Sequence, residues 1–354
     1  MAQLTSRERV LGLFKKQPID TMPCFSGQGM VTLPAIQSLG IGFSQIHLSA
    51  ENMAGSAKQS MHMFGFDSVV VPFDMCTIPE AFGLPISIYE DSEDILYPTI
   101  PEKWPSPEEV TIPENYRERA RMPIVDRALN LLKSEVGKEK AIGSWILGPF
   151  TLAGQIVELD VLMKMTLKQR STVEALLDEL TELIIDLGSH YRHEGADYMN
   201  LREMGTGSDL LSPRLFKTMI LPRLQKIFDA WGSPKVLHIC GSTDMIIEMM
   251  GDSGADAISV DHKNTLAETR EKIGDGMLLF GDYNGFTLPN SATEQEIKDY
   301  IKRCINAGVD AVWPGCDIWP DINEKNLLSI NRAIQELGTA PSPAVERLSA
   351  TMQV

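Results

Sequence analysis

The sequence predicts a (β/α)8 TIM barrel with an N-terminal helical extension, and three observations support this fold. The chain has 354 residues, a length common among such barrels. Apolar runs alternate with segments of helical periodicity. A Gly-x-Asp pattern followed by an apolar run also recurs, in GFDSVVVPF (65–73), GADYMNLRE (195–203), GADAISVDH (254–262) and GVDAVWPG (308–315). Glycine suits the residue that ends a helix, and a continuous apolar run indicates a strand buried on both faces.

The leading segment, about residues 1–60, precedes the first predicted strand. Thr5 stands three residues before Glu8, which is the spacing of a capping box, and the apolar residues that follow share one helical face. We therefore expect a helix to begin at this point and to pack on the barrel.

The remaining strands lack the full Gly-x-Asp pattern. They are predicted in AIGSWI (141–146), KVLHIC (235–240) and MLLFG (277–281), between helical patterns such as 171–194 and 213–231. This makes seven strands, and the eighth is expected near Met22 to Ser26 or within 84–100. A doubly wound open sheet is the alternative, although no G-x-G-x-x-G turn follows the first strand and GTGSDL (205–210) matches it only in part.

The chain is expected to form a single domain over residues 1–354, with a surface excursion at 101–125 and a tail at about 340–354. The net charge of −16 argues against nucleic-acid binding, which requires a basic patch. Neither a signal peptide nor a membrane span is evident, so a cytoplasmic location is expected. Five cysteines at irregular spacing fit reduced thiols better than a disulfide framework.

Three soft ligands follow predicted strands: His238 and Cys240 in KVLHICGST, and Cys316 in AVWPGCDIWP. The carboxyl ends of parallel strands meet at one edge, and His-x-Cys places both side chains on one face. An imidazole and two thiolates predict a zinc site with an open coordination position. The alternative is a core histidine with small buried cysteines.

Polar residues concentrate at the same strand ends, which form the active-site face of a barrel. The candidates for this mouth are Asp74, Glu203, Asp261, Asp282, Asn284 and Asp317. For each of them, a turn or cap role is an equal alternative, because Asp and Asn favour turns through local hydrogen bonds.

Several segments together resemble the uroporphyrinogen decarboxylase superfamily, within it the branch of cobalamin-dependent methyltransferases. They are TSRERVLGLF, GFDSVVVPFDMCTIPEAFG (65–83), LGPFTLAGQIV (147–157), DLLSPRLFKTMILP (209–222), HICGST, GADAISVD and PGCDI. By this resemblance His238, Cys240 and Cys316 map onto the family's zinc ligands. The decarboxylase itself is disfavoured, because residues 20–37 contain no Arg or Lys to pair with a polycarboxylate substrate.

The resemblance implies methyl transfer from a methyl-Co(III) corrinoid to a small acceptor. The sequence has no cobalt-ligating Asp-x-His-x-x-Gly motif, so the cobalamin is expected on a separate corrinoid protein as partner. Its approach would be lined by basic and aromatic residues, namely Lys263, Arg202, Phe150, Tyr283 and Trp319. Homodimer formation is left open.

The acceptor predicted from the sequence is tetrahydrofolate. Asp317 stands where the family's thiol-methylating members typically have Gly, and a carboxylate repels a sulfonate-bearing thiol but matches the N–H edge of a pterin. Substrate binding is assigned to Asp74, Asp261, Asp282, Asn284 and Phe150, and catalysis to Asp317 and Glu203. Glu203 is expected as a general acid or as a fourth zinc ligand. The alternatives are a coenzyme M-type thiol activated by zinc and a non-catalytic zinc-binding barrel.

Overall fold

The computed structural model describes residues 3–339, so the predicted tail at 340–354 lies outside the described part of the chain. Its centre is a curled parallel sheet with six strands in sequence order. The strands are β1 (Ser68–Val71), β2 (Ala141–Leu147), β3 (Tyr198–Arg202), β4 (Lys235–Ile239), β5 (Ala257–Val260) and β6 (Leu278–Phe280). Nearly every strand residue is buried, as expected for strands covered on both faces.

The predicted seventh strand lies beside β6 as an extended segment. Parallel bridges join Phe280 to Ala311 and Tyr283 to Pro314, so residues 311–314 continue the sheet. Residues 84–100 do not supply an eighth parallel strand, because their bridge, between Ser87 and Thr99, is antiparallel.

The aspartate of each Gly-x-Asp pattern ties its strand to the segment before it, through a pair of hydrogen bonds that we call the aspartate clamp. Asp197 donates its backbone N–H to the carbonyl of Ile142 at 2.7 Å, and its carboxylate accepts the N–H of Ile142 at 3.1 Å. The other three clamps repeat this exchange, Asp67 with Cys24, Asp256 with Lys235 and Asp310 with Leu279.

The clamp on Cys24 locates the segment before β1. Cys24 lies beside the start of β1 in the same way that β2 lies beside β3 and β4 lies beside β5. Residues 22–26 therefore occupy one of the two positions predicted for the eighth strand. Among the described residues, no backbone hydrogen bond joins this segment to residues 311–314. The structure thus supports a barrel-like curled sheet, and full eight-stranded closure stays a prediction.

Helices alternate with the strands and cover the sheet. Those before β1 are α1 (Ser6–Phe14), α2 (Leu33–Ser38) and α3 (Ala50–Phe64). Those between β1 and β3 are α4 (Thr77–Phe82), α5 (Met122–Glu135), α6 (Pro149–Ile156), α7 (Leu159–Lys168) and α8 (Arg170–Glu194). Between β3 and β6 lie α9 (Pro213–Leu215), a π-helical turn (Phe216–Ile220), α10 (Leu221–Ala230), α11 (Ile247–Gly251) and α12 (Leu266–Ile273). The last three are α13 (Thr287–Ser291), α14 (Glu294–Asn306) and α15 (Glu324–Leu337). Within residues 3–339, no helix is long and apolar enough to cross a membrane.

Helix α1 begins with the predicted capping box. The Thr5 hydroxyl accepts the N–H of Glu8 at 3.1 Å, and the Glu8 carboxylate accepts the N–H of Thr5 at 2.8 Å. At the end of the helix, the Phe14 ring lies 5.9 Å from Phe25 and 5.7 Å from Phe280, centroid to centroid. Helix α1 therefore contributes to the core beneath the sheet.

Candidate active site at the carboxyl ends of the strands

The interior face of the sheet becomes polar toward the carboxyl ends of the strands. Arg202 on β3 is in register with His238 on β4, which is in register with Ser259 on β5. In-register residues of neighbouring strands point to the same face, and all three side chains are buried. Buried polar side chains require hydrogen-bond partners, which here are one another, the loops or a ligand.

His238 and Cys240 lie at the carboxyl end of β4, and Cys316 follows the 311–314 segment at the same edge; we call these three residues the cysteine cluster. The Nδ1 atom of His238 hydrogen-bonds the Ser259 hydroxyl at 3.1 Å, whereas its Nε2 atom is buried without a protein partner. The neighbouring Cys316 lowers the pKa of Cys240, whereas Cys240 raises the pKa of Cys316 well above its usual range and His238 opposes that rise. Cys316 is exposed and Cys240 half-buried, so the cluster opens to solvent.

The chemistry of these donors fits zinc, although within residues 3–339 no three His, Cys, Asp or Glu side chains converge closely enough to hold an ion. The orphaned Nε2 of His238 is a free imidazole ligand, and Ser259 fixes the ring through its other nitrogen. The zinc site itself stays a prediction.

Glu203 is fully buried and caps the amino end of α6. Its carboxylate accepts the N–H of Phe150 at 3.1 Å, the N–H of Thr151 at 2.7 Å and the Thr151 hydroxyl at 2.6 Å. Burial raises the pKa of Glu203 to about 7. A Cβ on Gly148 would lie 2.2 Å from this carboxylate, so the turn before α6 requires glycine. These contacts position the turn, and a catalytic role for Glu203 stays a prediction.

Asp317, the other predicted catalytic residue, is paired with Arg202. Their closest nitrogen and oxygen are 3.0 Å apart, and the guanidinium stacks over the Trp145 ring at 3.9 Å. Arg202 also donates to the carbonyl of Gly27 at 3.0 Å, while its Nε is buried without a partner. Asp317 keeps 37% of its side chain exposed and accepts the N–H of Gly29. The buried guanidinium of Arg202 and the partly exposed carboxylate of Asp317 therefore adjoin the thiols.

Residues predicted to line the corrinoid's approach differ in exposure. Arg202, Phe150 and Tyr283 are buried, so their side chains do not line an open approach, which corrects the expectation for these three. Trp319 is exposed, as expected. Phe150 contributes its backbone N–H to the Glu203 cap.

Asp74 belongs to a buried ion-pair network. Its carboxylate accepts from both terminal nitrogens of Arg121, at 2.7 and 3.2 Å, and lies 2.9 Å from Nδ1 of His47. Burial alone would raise the pKa of Asp74, but these partners hold it well below its usual range. The carboxylate is thus occupied, and substrate binding by Asp74 stays a prediction without support from its contacts.

The three other predicted substrate-binding residues make local contacts. Asp261 accepts the N–H of Gly241 at 3.0 Å and pairs with His262 at 2.5 Å. Asn284 accepts two backbone N–H groups in the turn that precedes α13. Asp282 is buried and faces α14, where it accepts from the Tyr300 hydroxyl at 3.1 Å. Asp282 lines a cavity of about 360 Å³ together with His262 and Arg303, and its carboxylate is engaged by α14.

Gln28 is a site residue that sequence reasoning missed. Its side chain is fully buried, and neither amide atom has a protein partner. The flanking glycines contact the charged pair, Gly27 with Arg202 and Gly29 with Asp317. The pattern Gly-Gln-Gly at residues 27–29 is the signal for this residue in the sequence.

Comparison with known proteins identifies the family of this chain. The family model "Uroporphyrinogen decarboxylase (URO-D)" matches residues 5–337. The methylcobamide:CoM methyltransferase MtaA of Methanosarcina barkeri is 28% identical over 341 residues, covering 95% of this chain and 99% of that protein. The methylcobamide:CoM methyltransferase MtbA of Methanosarcina acetivorans is 26% identical, covering 90% and 94%. A solved methyltransferase from Methanosarcina mazei superposes with a TM-score of 0.88 at 27% identity, covering 94% of this chain and 99% of that one. The chain belongs to the uroporphyrinogen decarboxylase (URO-D) family.

Proposed function

We propose that this protein transfers a methyl group from a methyl-Co(III) corrinoid, presented by a partner protein, to the sulfur of a small thiol. The observation that carries the proposal is the cluster of His238, Cys240 and Cys316 at the solvent-open edge of the sheet. The two relatives named as methylcobamide:CoM methyltransferases cover nearly the whole chain, and CoM is a thiol acceptor. They give no support to tetrahydrofolate, so we adopt the thiol alternative.

The reaction requires a sulfur nucleophile. The acceptor sulfur gives an electron pair to the methyl carbon, and the carbon–cobalt bond breaks with both electrons staying on cobalt as Co(I). The thiol proton leaves for solvent. Zinc held by His238, Cys240 and Cys316 would lower the pKa of the acceptor thiol and so supply the thiolate at neutral pH.

The protein's own residues hold this nucleophile in position. Ser259 holds the His238 ring through Nδ1, which leaves Nε2 without a protein partner. Glu203 anchors the turn before α6 beside β3. Arg202, clamped between Trp145 and Asp317, sets the position of the loop that carries Cys316. Preorganised contacts of this kind lower the cost of orienting the acceptor.

The mouth also offers a surface for the corrinoid protein. The loops that follow β1, β3, β4, β6 and the 311–314 segment each carry an exposed apolar side chain. These side chains are, in order, Met75, Leu210, Met245, Phe286 and Trp319. Exposed apolar residues around one opening are typical of a protein-binding surface. A partner seated there would bring its methylated cobalt toward the exposed Cys316.

The first test is an anaerobic assay that follows the conversion of free methylcob(III)alamin to cob(I)alamin by absorbance. We expect turnover with a simple thiol such as 2-mercaptoethanol and none with tetrahydrofolate. Cys316→Ala should abolish thiol turnover, whereas Cys24→Ala, which removes a buried thiol at the opposite end of the sheet, should retain it. Turnover with tetrahydrofolate alone would overturn the proposal, and so would full thiol activity in Cys316→Ala.

If neither acceptor turns over, the assay is repeated with a methylated corrinoid protein as donor. Continued inactivity would favour the non-catalytic barrel. Decarboxylation of uroporphyrinogen is not expected, because residues 20–37 have no Arg or Lys to neutralise its carboxylates.

A further inference from the structure

We propose that the acceptor thiol carries a protonated amino group, bound by the carboxylate of Asp317, and that thiols with an anionic tail are disfavoured. This inference rests on the proposed function and names the class of acceptor for the same site.

The charge next to the thiols is set by this pair. Arg202 is the buried cation that adjoins the cluster, and its charge is neutralised by Asp317 at 3.0 Å. The Trp145 ring covers one face of the guanidinium. A sulfonate or carboxylate tail would have to displace Asp317 from Arg202, and it would otherwise lie beside a second negative charge.

Asp317 is available to a cation. It follows Cys316 directly in the chain, and 37% of its side chain remains exposed despite the contact with Arg202. Carboxylates accept several hydrogen bonds, so Asp317 can bind an ammonium group while it keeps Arg202 and the N–H of Gly29. An acceptor with its sulfur at Cys316 and its amino group two carbons away would lie along this loop.

Gln28 provides a second polar contact. Its amide is fully buried and has no protein partner, a costly arrangement unless a ligand or water completes it. Gln28 lies between Gly27 and Gly29, which bind Arg202 and Asp317 respectively. An amide can both accept from an ammonium group and donate to an oxygen, so an acceptor that reaches Gln28 would complete its hydrogen bonds.

The test uses three thiols that differ only in the tail: 2-aminoethanethiol, 2-mercaptoethanol and 2-mercaptoethanesulfonate. Binding of their S-methylated forms is measured by calorimetry, which requires neither methyl donor nor turnover. kcat/KM for the free thiols is then measured with methylcob(III)alamin. We expect the amine to bind about tenfold more tightly than the alcohol, and the sulfonate to bind more weakly than both.

Asp317→Asn is the decisive variant, because it keeps the size of the side chain and frees the charge of Arg202. It should lose the preference for the amine and gain affinity for the sulfonate. Asp321→Asn removes a carboxylate from the same loop at an exposed position without a contact to Arg202, and it should behave as the wild type.

The outcomes separate the two proposals. Equal binding of the three compounds, tighter binding of the sulfonate, or no binding of the amine would overturn the inference on the acceptor, even if thiols are methylated. Amine-selective binding that is lost in Asp317→Asn would support it, even if methylcob(III)alamin is not consumed and the proposed function fails.

Discussion

Replacing Asp310 by asparagine should destabilise the protein strongly, because Asp310 neutralises a buried arginine. The carboxylate is fully buried, and it lies 2.6 Å from the guanidinium of Arg270, whose side chain is 8% exposed. Asparagine can still accept the N–H of Leu279, so the clamp's backbone contact survives. The charge of Arg270, however, would remain buried without a counter-ion.

The cost follows from the contacts that remain. Breaking a buried ion pair by removing one partner costs about 3 to 5 kcal/mol. Arg270 keeps three backbone carbonyl acceptors, those of Gly308, Gly274 and Met277, so we expect the lower end, about 3 kcal/mol. At about 2.1 cal/mol/K per residue, unfolding 354 residues has an entropy of about 0.7 kcal/mol/K. The expected fall in Tm is therefore about 4 °C.

The assay is calorimetric melting of the wild type and two variants. Asp256→Asn is the matched control, since Asp256 is half-buried, clamps Lys235 in the same way and is hydrogen-bonded by Ser233, with no ion pair among the described contacts. Its Tm should change by about 1 °C or less, as expected for a change of about 1 kcal/mol. An equal shift in both variants would refute the reasoning, because it would mean that the charge of Arg270 does not matter.

Three further predictions concern the affinity for zinc, the KM for the corrinoid protein and the stability at low pH. Ser259→Ala should weaken zinc affinity about tenfold, measured by competition with a chelator, because His238 loses the group that orients it. Met245→Ser should raise the KM for a corrinoid protein but leave the rate with free methylcob(III)alamin unchanged, because Met245 is 69% exposed at the mouth. The hydrogen bond from Arg9 lowers the pKa of Asp20 to about 2. The resulting stability is present above about pH 4 and is lost as the pH falls toward 2, which acid titration of unfolding would detect.

Each of these predictions has a control. Ser134→Ala, at an exposed hydroxyl that bonds only a helix carbonyl, should keep zinc affinity. Leu328→Ser changes an exposed apolar residue on α15 and should leave both donors unaffected. Asp20→Asn should flatten the loss of stability between pH 4 and 2, and an unchanged acid profile would contradict the assignment to Asp20.

The strands could be predicted because glycine, aspartate and an apolar run mark each boundary. The closure of the sheet could not be predicted in the same way. Pro23 and Pro314 lie in the two outer segments, and proline has no N–H to donate to a ladder. Both segments therefore follow the sheet with few backbone hydrogen bonds, although Cys24 is held by its clamp.

The site was predictable where it depends on the ends of strands. His238, Cys240 and Cys316 lie at one edge because parallel strands bring their carboxyl ends there, whereas zinc binding by these residues stays a prediction. The carboxylates were less predictable, because their roles depend on partners distant in sequence. Asp74 is paired with Arg121, 47 residues away. Glu203 caps a turn more than 50 residues before it.

The aspartate clamps have a consequence for how the sheet can move. A clamp joins every second pair of neighbouring segments in the sheet. The sheet therefore consists of four pairs of segments, and each pair is joined at its amino-terminal end. A slip of one residue would break the clamp and turn every side chain to the opposite face. Strand alignment is thus locked at the end of the molecule opposite the cysteine cluster. The loops around the cluster can rearrange when a large donor arrives, while the strands that carry His238 and Arg202 keep their alignment.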